Sequence, residues 1–150
     1  MTLEEATKTS GFKNQRHKSI VNVMFTSYQV KSRVSQVLKG YALTPEQFNV
    51  LRILKGSAPN PLCVKEIAGR LIERNSNVPR IADRLELKKL VKRSVSTEDR
   101  RETLMQITAA GINLLEAASQ ALESEQNLMV ALSEEKAAIL NQLLEEMLQE

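Results

Sequence analysis

The sequence predicts a mainly α fold carrying one small β-hairpin, and three observations support that prediction. Only 5 Gly and 4 Pro interrupt 150 residues, so long stretches are free of helix breakers. Apolar residues recur in alternating threes and fours along most of the chain, the spacing of a helix face. The exception lies near residues 90–107, where two short strand-like segments flank a charged turn. With 42% hydrophobic residues, the chain suits one domain with a real core and is short for two.

Taken in order, residues 1–11 read as a frayed leader ending at Gly11. Residues 12–39 contain no Gly or Pro, and Ile20, Val23, Val30, Val34 and Val37 mark one stripe of a long amphipathic helix. That stripe is close to a coiled-coil seam, able to pack on its own domain or on another subunit. His17, the one histidine, has no second metal ligand nearby in sequence and reads as a surface or interface residue. Thr44-Pro45-Glu46-Gln47 opens the next helix, with Thr44 as N-cap, Pro45 at N1 and Gln47 closing a capping box. Gly56 to Pro61 breaks it.

Leu62-Cys63-Val64 is either an edge strand or a helix lead-in, and a short helix follows to about Glu73. Cys63 and Glu66 have capping-box spacing, but a thiol is a poor acceptor, so the cap should be weak. A further helix over 76–88 is expected, capped by Asn75 or Ser76, with Pro79 in its first turn. Its stripe of Val78, Ile81, Ala82 and Leu85 faces inward, leaving Asn77, Arg80, Arg84 and Lys88 on the other side. Amide and guanidinium groups pair with base edges in a DNA major groove and with phosphates beside it.

Two short helices joined tightly at Arg74-Asn75 have the dimensions of a helix-turn-helix. Leu90 to Val95 and Glu102 to Ile107 then form a hairpin with its tip at residues 96–101. A helix-turn-helix followed by such a hairpin is a winged helix. Arg100 and Arg101 at the tip suit a narrow, negative minor groove. Asp99 would be repelled by phosphate, so its expected role is internal, bracing the loop through hydrogen bonds or an ion pair with Arg101. Thr108 caps a long helix reaching about Leu132, with Gly111 tolerated in the first turn. Ser133-Glu134-Glu135 starts a last helix whose broad apolar face calls for burial across a two-fold axis.

The order and spacing of these elements resemble the MarR/SlyA family of winged-helix transcriptional regulators. The resemblance rests on Leu43-Thr44, Gln47-Phe48 and Val50-Leu51; on Glu66-Ile67-Ala68 and Leu71; and on Ser76-Asn77-Val78, Arg80-Ile81 and Asp83-Arg84-Leu85. It continues through Asp99-Arg100-Arg101 and Ile107-Thr108 with Gly111. It implies a single domain over 1–150, in which 12–39 and 108–150 are dimerisation helices and 43–107 is the DNA-binding winged helix. It implies a homodimer on a palindromic double-stranded DNA operator, with repression the expected mode. Ser76, Asn77, Arg80 and Arg84 would then lie at the major groove, with Asp99 supporting Arg101. A small-molecule effector pocket is implied near Met24, Tyr28, Phe48 and Arg52, positions equally well explained as core.

Two positions depart from the family pattern. Lys89 stands where Gly usually follows the recognition helix, at a cost of roughly 1 kcal/mol if the left-handed turn is kept. Cys63 stands where a Ser or Thr cap is common. Members that sense peroxide carry a reactive cysteine in the first helix, and residues 12–39 have none.

Charge is distributed unevenly. Residues 1–64 hold 9 basic and 3 acidic groups, 65–101 hold 11 and 6, and 102–150 hold 1 and 9, so the acidic third is C-terminal. One end of the molecule is thus suited to a polyanion and the other is not. With one His, one Cys, no phosphate loop and no metal-ligand cluster, neither an enzyme nor a cofactor is expected. No run of about 20 apolar residues spans a membrane and the polar N-terminus lacks a signal core, so the cytoplasm is the expected location and no membrane partner is expected. The rival reading is a winged helix serving as a protein-interaction module or dimeric scaffold. Such a face usually offers apolar anchors rather than arginines.

Overall fold

The computed structural model describes residues 1–9, 11–74 and 76–148. Its helices in chain order are α1 (Leu3–Thr7), α2 (Gln15–Lys39), α3 (Pro45–Ser57), α4 (Val64–Arg70), α5 (Val78–Leu87), α6 (Ala109–Met129) and α7 (Glu134–Glu146). Three strands, β1 (Leu62–Cys63), β2 (Val91–Val95) and β3 (Thr103–Ile107), form an antiparallel sheet in the order β1-β3-β2. Leu62-Cys63 is therefore an edge strand, paired with Met105 and Leu104. The hairpin runs in register from Val91 opposite Ile107 to Val95 opposite Thr103.

The N-terminal leader is not frayed throughout. Thr2 and Glu5 form a reciprocal capping box around α1, and Leu3 is buried. Lys18 from α2 reaches Glu4 at 2.6 Å, so this short helix is tied back to the main body. The long helix begins at Gln15 rather than residue 12, because the Asn14 side chain accepts the His17 N–H at 2.9 Å and caps it there.

α3 starts where its sequence demands: Gln47 N–H donates to Thr44 Oγ1 at 3.1 Å and Thr44 N–H to Gln47 Oε1 at 3.2 Å. Val50, Leu51 and Leu54 of this helix are almost fully buried and form the centre of the core, with Leu38, Ile67, Val78, Leu85 and Met105. α4 ends at Arg70, earlier than Glu73, because Leu71 leaves helical geometry to bury its side chain in that core. The connection to α5 is correspondingly longer than a tight Arg74-Asn75 turn.

Candidate nucleic-acid interface

α5 is capped by Asn77, whose side-chain oxygen accepts the Arg80 N–H at 3.2 Å. The cap expected at Asn75 or Ser76 thus moves inward; Asn75 lies outside the described residues, and the Ser76 N–H bonds Glu73 O at 3.2 Å. The shift has a physical source. Val78 is 1% exposed, and starting the helix there seats it in the core with Ala82 and Leu85. Asn77 is exposed; its side-chain oxygen accepts the Arg80 N–H, and its amide N–H groups stand beside the arginines with no partner among the described residues.

The other face carries Arg80 and Arg84, both exposed. Among the described residues neither forms an ion pair or a side-chain hydrogen bond. With half-buried Ser76 they line an open cleft of about 410 Å³ shared with Thr44 and Gln47 of the α3 cap. Lys88 does not join them. Its ammonium donates to Ala42 O and lies 3.2 Å from Gln47 Oε1, so it ties the end of α5 to the start of α3. The helix then closes in a Schellman turn: Leu90 N–H to Leu85 O at 2.9 Å and Lys89 N–H to Glu86 O at 2.8 Å. Lys89 accepts the left-handed conformation, φ 60°, in place of glycine.

At the hairpin tip, the Asp99 carboxylate accepts the Arg101 backbone N–H at 3.0 Å, and Asp99 O accepts the Glu102 N–H at 2.9 Å. The loop is braced through the backbone of Arg101, so the guanidinium is not used up in holding it. Buried Ser96 supports the same loop, its Oγ accepting the Glu98 and Asp99 N–H groups at 3.3 Å each. Arg100 and Arg101 are exposed beside it.

The four residues expected around an effector separate. Phe48 and Arg52 line a cavity of about 530 Å³ between α2 and α3, together with Val30, Val34, Ile72 and Leu122. Met24 and Tyr28 lie outside it and are each 68% exposed. On α2 Met24 and Tyr28 are rotated away from the row of Ser27, Val30 and Val34 that lines this cavity, and Tyr28 instead lines a neighbouring cleft with Lys31, Pro45 and Glu46.

Sequence reasoning passed over two charged clusters. Lys31 of α2 binds Glu73 and lies 3.8 Å from Glu46, which raises the Lys31 pKa, chiefly through the Glu73 hydrogen bond. Glu46, Glu73 and Ser76 line both the cleft and the cavity, forming the wall between them. Arg93 of β2 pairs with Asp83 and Glu86 of α5. Its signal was present in the strand alternation: Val91 is buried, and Arg93 follows on the same face, where a charge needs partners.

A helix-turn-helix with an arginine ridge, followed by a β-hairpin wing with arginines at its tip, defines a winged-helix DNA-binding regulator. Residues 43–103 match the model of the MarR family. HTH-type transcriptional regulator MhqR of Bacillus subtilis (strain 168) is 29% identical over 116 residues, covering 77% of this chain and 79% of the relative. The crystal structure of the S. aureus MepR-DNA complex is 31% identical, with a TM-score of 0.74, covering 87% of this chain and 95% of that one. A MarR-like protein of Bacillus cereus ATCC 10987 shares the fold at TM-score 0.80 and 17% identity, covering 89% and 95% of the two chains. The chain belongs to the MarR family.

Proposed function

We propose that the chain acts as a cytoplasmic homodimer that binds a palindromic DNA operator and represses transcription, with a small molecule modulating binding. The reading is carried by Arg80 and Arg84, two exposed guanidiniums on a helix otherwise fastened to its neighbours. Arginines on such a ridge donate to guanine edges and phosphates in a major groove, with Ser76 and the Asn77 amide beside them. Arg100 and Arg101 enter the adjacent minor groove. Lys88 is left out of this contact set because its ammonium is engaged within the chain.

Dimerisation is supported by the apolar surface that the single chain leaves uncovered. α7 buries none of its side chains, and Ile139 and Leu143 are 58% and 53% exposed. Ile20 and Met24 of α2 and Leu128 of α6 add to this surface. Covering it with a second copy related by a two-fold axis would present two wings to successive half-sites about one helical turn apart, or a multiple. Residues 1–150 then act as one unit, with 12–39 and 108–150 holding the dimer and 43–107 reading DNA. Among the described residues no helix is long and apolar enough to cross a membrane.

Effector control is supported by the cavity that Phe48 and Arg52 line, because its wall of Glu46, Glu73 and Ser76 is also the wall of the DNA-facing cleft. Fluorescence anisotropy with the Arg84→Gln and Arg101→Ala variants tests the reading. A DNA regulator loses operator affinity in both variants. A protein-interaction module keeps its dimer and shows no specific DNA complex to lose.

A further inference from the structure

α5 has three longitudinal faces, set by the 3.6-residue period. Val78, Ala82 and Leu85 face the core, and Arg80 and Arg84 form the exposed ridge. Pro79, Asp83 and Glu86, spaced by four and then three, make a third row along the flank next to β2. A single side chain engages this entire row. Arg93 donates to Pro79 O at 3.3 Å and to the Asp83 carboxylate, and its Nε lies 2.8 Å from Glu86 Oε2.

Asp83 is three residues from Arg80, within reach along one helix. A carboxylate released at Asp83 would compete with DNA for that arginine and would repel nearby phosphates. Arginine suits the task because its planar fork can hold several acceptors at once, which a lysine ammonium on a flexible stem does less well. On the opposite flank Lys88 engages Ala42 O and Gln47, so the ridge is held between two fastened sides.

We propose that Arg93 is a positioning residue for DNA binding: it sequesters Asp83 and Glu86 on the wing side of α5, keeping Arg80 and Arg84 available to the duplex. The proposal rests on the DNA-binding reading, and it gives a role to a residue that itself makes no DNA contact. Its side chain sits between helix and strand, directed into α5 instead of outward.

Anisotropy with duplexes from upstream of the protein's own gene, beside a scrambled duplex, tests it. Arg93→Gln is expected to lower specific affinity about ten-fold or more, equivalent to at least about 1.4 kcal/mol. Adding Asp83→Asn and Glu86→Gln to that variant is expected to recover most of the loss, since the competing carboxylates are gone. Unchanged affinity in Arg93→Gln overturns the proposal. So does a loss that the two neutralising changes leave in place, which is what a direct DNA contact or a purely structural brace would give. Arg93→Lys keeps the cation and repeats the test should Arg93→Gln not fold: a several-fold loss, recovered by the same two changes, is expected, and unchanged affinity or no recovery overturns the proposal. If the wild type itself forms no specific complex, the DNA-binding reading fails and takes this proposal with it.

Discussion

Gly111 has no room for a methyl group. A Cβ there would stand 2.2 Å from Leu90 O and 2.7 Å from Ile107 Cγ1, where the first turn of α6 crosses the exit from α5. The close approach is locked by Thr108, whose N–H donates to Leu90 O at 3.0 Å and whose hydroxyl donates to Lys89 O at 2.8 Å. Gly111→Ala must push backbone apart, and a loss of about 2–3 kcal/mol is expected, read as a lower urea midpoint. At Lys89 the sign reverses. With φ 60°, a side chain stands where glycine is at ease, so Lys89→Gly is expected to gain up to about 1 kcal/mol in the same measurement. The first-turn position of Gly111 was legible in the sequence, but the carbonyl it faces comes from a segment about 20 residues earlier and was not.

At the scale of elements, caps and periodicity were the legible features. Thr44, Thr108 and Ser133 all cap the helices their sequences announce. The start of α5 was misplaced because Asn75, Ser76 and Asn77 are all competent caps, and only the packing of Val78 chooses among them. At α4 the Cys63 thiol makes no cap hydrogen bond, in line with its weak acceptor chemistry, and the joint is made from the other side: the Glu66 carboxylate accepts the Cys63 N–H at 2.9 Å. That bond holds the Glu66 carboxyl below its ordinary value of 4.5, the Cys63 backbone hydrogen bond being the main cause. A carboxyl lowered on folding contributes stability above its unfolded pKa and loses it as pH falls through the lowered folded value. Glu66→Gln is therefore expected to flatten part of the acid limb of the stability curve, measured by denaturant titration from neutral pH downward. An unchanged acid limb would contradict the assignment.

Across the whole molecule, the DNA-facing arginines and the uncovered apolar face of α7 lie on segments of opposite net charge. The basic 65–101 segment carries the recognition helix and wing, whereas the acidic C-terminal third carries α7 and its exposed Ile139 and Leu143. Replacing both with Ser is expected to turn a dimer into a monomer, measured by light scattering after gel filtration. A dimer of undiminished strength would remove α7 from the interface. The helical class, the wing and the arginine pair were legible because each depends on local pattern. The positions of Lys88, Met24 and Tyr28 were not, because they depend on which neighbour each helix face meets; for Arg93 the strand alternation indicated the inward face but not its partners Asp83 and Glu86 on α5.

The central claim is that the Arg80 and Arg84 ridge of α5, with the wing arginines, reads duplex DNA. The most direct measurement is anisotropy of wild type and Arg84→Gln on the operator and a scrambled duplex across a salt series. The account predicts a specific complex at physiological salt, with a log–log salt slope reporting several phosphate contacts. Arg84→Gln should weaken that complex by about 1–3 kcal/mol while leaving the dimer intact. Equal, weak binding of both duplexes, or an operator complex indifferent to Arg84, would contradict it.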